Sequence, residues 1–100
     1  MKKLLIIVLL LCCGASAEVK LPVLLSDGAV LQRDLPLHFW GMAEPGEQVT
    51  VTFHGQTGTA KADSVGHWHV YLSPVKAGGP YDVTIQGTNR IVLHDILVGD

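Results

Sequence analysis

One hundred residues, with 7 Lys and Arg against 9 Asp and Glu and a formal charge of −2, are enough for a single domain and no more. This balance excludes the basic field that nucleic acid or an anionic lipid surface demands. Both cysteines, Cys12 and Cys13, stand side by side near the N-terminus, which excludes a disulfide framework through the rest of the chain.

The first predicted element is a leader. Met1-Lys2-Lys3 is followed by an unbroken apolar run over residues 4–13 and then by Gly14-Ala15-Ser16-Ala17. A positive start, a short apolar centre and a small-x-small site in that order describe a secretory signal peptide, with cleavage expected after Ala17. The apolar run falls well short of the roughly 20 residues that span a bilayer. A lipid anchor at Cys12 or Cys13 fits poorly, because Leu11 or Cys12 precedes each where Gly, Ala or Ser is needed. The expected mature domain is residues 18–100, without cysteine and with a charge near −4, located in the periplasm or outside the cell and free of the membrane. A chain of that size buries only about 60% of its unfolded surface, so it is expected to be marginal alone and to lean on something it packs against.

Past the leader the pattern is period two, interrupted by turn residues at short intervals. Residues 21–25 read as a first short strand ended by Ser26-Asp27-Gly28, residues 29–33 as a second, and residues 36–42 as a third. Glu44-Pro45-Gly46-Glu47 places Pro and Gly at the second and third positions of a type II turn, where φ near −65° and a positive φ are needed in succession. Val49, Val51 and Phe53 then alternate with Thr50, Thr52 and His54. Residues 55–62 read as a weaker strand of small residues and Thr. Residues 67–72 follow as a strong one, with Trp68, Val70 and Leu72 on one side and His67, His69 and Tyr71 on the other. Residues 76–80 read as a break; Tyr81, Val83 and Ile85 mark the next strand, and a last one starts near Arg90. Seven or eight such strands predict an all-β fold, a small antiparallel β-sandwich of immunoglobulin-like architecture.

Chemistry is harder to find. Ser26, Ser64 and Ser73 stand in no Gly-x-Ser-x-Gly elbow, and Ser26 beside Asp27 is better explained by turn formation. His67 and His69 point two imidazoles to one strand face, yet with no His-Glu-x-x-His and no third ligand set by spacing the pair reads as the polar face of an amphipathic strand. His38, His54 and His94 are isolated. Trp40 and Trp68 could stack on a sugar, but both lie in strands that need large core residues, and core packing is the stronger reading. Gly55-x-x-Gly58 and Gly78-Gly79 open no helix and match no phosphate loop. No catalytic, cofactor-binding or metal-binding residue emerges, and no cofactor is implied.

One block is more specific. LPVLLSDGAVLQRDLPLHFWGMAEPGEQVTVTF, residues 21–53, resembles the opening of the sialate O-acetylesterase family, secreted or periplasmic esterases that remove acetyl groups from sialic acids and related sugars. Ser26, Asp27, Val30, Leu31, Gln32, Arg33, Trp40, Gly41, Ala43, Pro45, Gly46 and Glu47 stand in the family's order. The likeness continues through GHWHVYLSPVKAGGPYDVTIQG and NRIVLHDILVGD. Gly28-Ala29 replaces a bulkier pair, and Leu25 stands where Phe is common; if that turn packs on a catalytic domain, the smaller side chains weaken the contact.

The resemblance implies that the segment after Asp100 would lead into a Gly-Gln-Ser-Asn-Met nucleophile on an SGNH-type hydrolase domain, with an Asp-x-x-His much later. None of those positions falls within residues 1–100, so the expectation is a truncated, non-catalytic N-terminal sandwich, inactive alone, whose partner is the SGNH-type domain. Acetylated sugars enter only through the parent enzyme. Two other readings are a free-standing carbohydrate-binding module using Trp40, Trp68 or Tyr71, and a structural module for a separately encoded catalytic domain, with an exposed apolar patch near the last strand.

Overall fold

The computed structural model describes residues 18–100; the expected leader at residues 1–17 lies outside them. Seven strands follow in order: β1 (Val30–Gln32), β2 (Leu37–Met42), β3 (Gln48–Phe53), β4 (Gln56–Lys61), β5 (His67–Leu72), β6 (Gly78–Gln86) and β7 (Arg90–Gly99). They form a five-stranded sheet in the order β1-β7-β6-β3-β4 and a two-stranded sheet of β2 and β5.

Alternation in sequence becomes alternation in burial. Leu37 and Phe39 from β2, Trp68, Val70 and Leu72 from β5, and Val49, Val51, Phe53, Val83, Ile85, Ile96 and Val98 from the larger sheet point inward and are buried. The Phe39 and Phe53 rings meet between the sheets at 6.1 Å in a tilted contact. Trp68 is 1% exposed, and its indole N–H donates to the Met42 carbonyl at 3.1 Å, which satisfies the one polar atom that its burial strands.

Two turns carry the geometry their residues dictate. Glu47 N–H donates to the Glu44 carbonyl at 2.8 Å and Gly46 takes φ 84°, as a type II turn requires. Between β3 and β4, His54 and Gly55 both adopt positive φ, 48° and 79°, so a two-residue type I′ turn closes the hairpin.

Three expectations are corrected. Residues 21–25 form no strand. Lys20 pairs with Met42 in an antiparallel bridge, and continuing that register would set Pro22 opposite Trp40. Proline has no N–H to give to the ladder, so the chain turns away and Leu25 N–H bonds the Pro22 carbonyl at 3.0 Å. Residues 78–80 do not break the chain but begin β6, which absorbs Gly79 (φ 122°) and Pro80 in register shifts against β7. The sandwich is also not wholly antiparallel, because β1 runs parallel to β7, with Val30 opposite Leu97. A tight hairpin forces antiparallel pairing only between directly connected strands, and β1 and β7 lie at opposite ends of the fold's sequence.

The two seams of the sandwich differ. On one, β4 packs against β5, and the Gln56 side chain bonds both the N–H and the carbonyl of Ser73, at 2.7 and 3.1 Å. On the other, β1 and β2 border an apolar depression.

Candidate functional site

The outward residues of β2 and β5 make the most distinctive surface. Because Leu37, Phe39 and Gly41 face inward, His38 and Trp40 face out; because Trp68, Val70 and Leu72 face inward, His67, His69 and Tyr71 face out. The ladder sets His38 opposite Tyr71 and Trp40 opposite His69. His38 lies nearly parallel to Tyr71 at 4.4 Å between centroids and to Trp40 at 4.7 Å. Its Nε2 sits 2.9 Å from His69 Nδ1, so one ring donates a proton and the other accepts. Burial, followed by repulsion from a charged His69, holds His38 below the usual imidazole value.

Trp40 meets the core-packing expectation only in part, because it packs against the core without being enclosed by it. It is half-buried, with its ring among the outward side chains, whereas Trp68 is fully inside as expected. Tyr71 is 63% exposed. The rings around His38 turn much of their π-face toward one another, so the surface available to a ligand is the outer side of the cluster rather than a flat platform.

Beside this face lies the depression, about 500 Å³, walled by Val23, Leu24, Val30, Leu31, Leu37 and Trp40. Val23 is 91% and Leu24 75% exposed, and Val30 with its β7 neighbour Leu97 extends the apolar surface to the last strand. The 21–25 segment that fails to become a strand supplies one wall.

Elsewhere the reactive residue types serve the fold. The Ser26 carbonyl accepts from Ala29 N–H at 3.1 Å in a turn, and Asp27 accepts from the His94 backbone N–H at 2.8 Å. The His94 ring bonds Asp82 at 3.1 Å, on the exposed surface. Asp63 accepts from the N–H groups of His67 and Val65, both at 2.9 Å, which lowers its carboxyl below the usual range and fastens the turn that holds Ser64. Among the described residues no group of three or more His, Cys, Asp or Glu is placed to hold a metal ion. The His38–His69 contact escaped sequence reasoning because the two residues lie 31 positions apart; the outward pairs His38-x-Trp40 and His69-x-Tyr71 were the visible signal.

The architecture is that of an immunoglobulin-like β-sandwich: a bacterial immunoglobulin-like domain from the M. primoryensis ice-binding adhesin superposes with a TM-score of 0.50 at 19% identity, over 84% of this chain and 97% of that one. Within that class the chain is homologous to part of the sialate O-acetylesterases. The mouse enzyme is 44% identical over 72 residues, covering 61% of this chain and 13% of its own length, and the human enzyme is 43% identical with 14% of its length covered. A carbohydrate acetylesterase from Xanthomonas citri superposes with a TM-score of 0.81 at 46% identity, over 83% of this chain and 19% of that structure. The chain therefore spans less than a fifth of each of these esterases. No protein-family model matches it.

Proposed function

We propose that this chain is the non-catalytic N-terminal sandwich of an exported sialate O-acetylesterase-like carbohydrate esterase, and that it supports the remainder of the enzyme rather than performing hydrolysis. The observation that carries this reading is identity of 44–46% confined to 13–19% of the esterases' length. The chemistry is consistent with it: acyl transfer by serine needs a hydroxyl within reach of a base and donors for the oxyanion, and the histidines that have ring partners spend them on His69, His38 and Asp82. The leader pattern at residues 1–17 supports export to the periplasm or beyond. The parent activity would be removal of O-acetyl groups from sialic acids or related sugars.

The test has two arms. The purified chain is expected to release no acetate from 4-nitrophenyl acetate or an O-acetylated sialic acid above a heat-treated control. Grafted into the Xanthomonas citri acetylesterase in place of its matching segment, the chain is expected to preserve hydrolysis. Activity of the chain alone, or loss of activity in a graft whose sandwich is folded, would sink the reading.

A free-standing carbohydrate-binding module is the alternative, favoured by the exposure of Tyr71, which with Trp40 stacks on His38. It requires saturable binding of a sugar that quenches Trp40 fluorescence and is abolished by Y71A.

A further inference from the structure

The strongest unexplained feature is the outer edge of β2. Met42 donates its N–H to the Lys20 carbonyl and accepts the Lys20 N–H at its own, each at 2.9 Å, while the next residue, Ala43, donates to the Gly66 carbonyl on the β5 side at 2.8 Å. Backbone direction alternates along a strand, so His38 and Trp40, in step with Met42, aim their N–H and carbonyl groups away from β5 as Met42 does. Among the described residues nothing pairs with those groups. The chain's own candidate for the place is excluded by Pro22, which leaves the ladder one residue pair after it began.

Three further observations say what fits there. Alternating donors and acceptors at strand spacing are matched by another extended backbone. The depression beside the edge is mostly apolar; Gln32 and His38 are its polar members and it has no Asp, Glu, Lys or Arg in its lining, so nothing there would pair with a charged incoming side chain. The sandwich is unbalanced, five strands against two, and a strand added to β2 would lie on the side where β1 and β2 leave the seam open.

We infer that the β2 edge from His38 to Trp40 receives an extended, uncharged segment from the remainder of the esterase, which adds a third strand to the smaller sheet and places alternate apolar side chains in the depression. This rests on the reading of the chain as an esterase's accessory sandwich, and names the surface and partner through which it acts. Strand addition also accounts for the exposure of Val23, Leu24 and Val30, which the incoming segment would cover.

Amide hydrogen exchange decides it, comparing the isolated chain with the graft in the Xanthomonas citri acetylesterase. In the isolated chain the His38 and Trp40 amides should exchange freely; in the graft both should slow by about 100-fold or more. L24K should restore fast exchange in the graft and leave the unfolding midpoint of the isolated chain unchanged, because Leu24 is 75% exposed there. An active graft in which both amides stay fast overturns strand addition and leaves the accessory reading standing. An inactive graft with a folded sandwich removes both. Concentration-dependent protection of the two amides in the isolated chain would assign the edge to a second copy and overturn the inference.

Discussion

His38 and His69 meet across the smaller sheet, Nε2 to Nδ1 at 2.9 Å, and the contact holds one proton between two imidazoles. Protonating both rings removes the acceptor and sets two like charges together. His38 is held below its ordinary value of 6.5, first by burial and then by His69, so near pH 6 the unfolded chain binds more protons than the folded one. Its contribution to stability is complete above the unfolded value and is lost as pH falls through the folded one. The urea midpoint should decrease between pH 7.5 and 5.5, and H38Q should flatten that dependence. An NMR titration placing His38 above 6.5 would contradict the assignment.

Glu47 ties two turns together. Its Oε1 accepts from Glu44 N–H at 2.9 Å and its Oε2 from Thr88 N–H at 2.7 Å. Burial works to raise its carboxyl, but these donors outweigh it and the net value lies below the usual 4.5. A depressed carboxylate stabilises the fold above its unfolded value and loses that contribution as pH falls through the folded one. E47Q keeps the shape and removes the charge; in this exposed setting it should cost about 1 kcal/mol at pH 7, and the difference from the parent should shrink as pH falls from 7 to 3. Chemical denaturation at the two pH values measures both.

Gly41 lies where the N-terminal segment bridges to the edge of the smaller sheet. A Cβ there would press on the Lys20 carbonyl and come within 3.1 Å of the Trp68 indole. The carbonyl is held in the bridge to Met42 and the indole is buried, so neither can yield cheaply. G41A should cost about 2–3 kcal/mol, visible as a lower thermal midpoint with unchanged strand content by circular dichroism. A change below a few tenths would mean that the bridge is dispensable.

The two tryptophans should separate cleanly. W68A empties the core and should cost about 3–5 kcal/mol, enough to unfold much of the population of so small a domain. W40A removes a half-buried ring and should cost about 1–2 kcal/mol. In W40F the remaining Trp68 fluorescence should be blue-shifted and resist acrylamide, while in W68F the remaining Trp40 should be quenched readily; equal quenching would be incompatible with the burial difference.

Strand identity was legible wherever alternation was strict. Residues 67–72 alternate without exception and form β5 over that same range, and Pro45-Gly46 produced the turn its φ preferences require. Residues 21–25 were apolar enough to suggest a strand, but ladder formation there depends on which partner lies opposite Pro22, a fact set by the Lys20–Met42 bridge rather than by local sequence. The Gly-Gly-Pro stretch at residues 78–80 failed in the opposite sense: residues that break isolated strands are absorbed when a long partner such as β7 permits a register shift.

The period-two pattern by itself determined an all-β sandwich, its turns and most of its inward-facing residues, because side-chain direction in a strand follows from residue parity alone. Only the tertiary structure decided which strands are neighbours, and with that the meeting of His38 with His69, the outward position of Trp40 and the open edge of β2. Those features depend on register and strand order between segments tens of residues apart, which parity within one segment does not constrain.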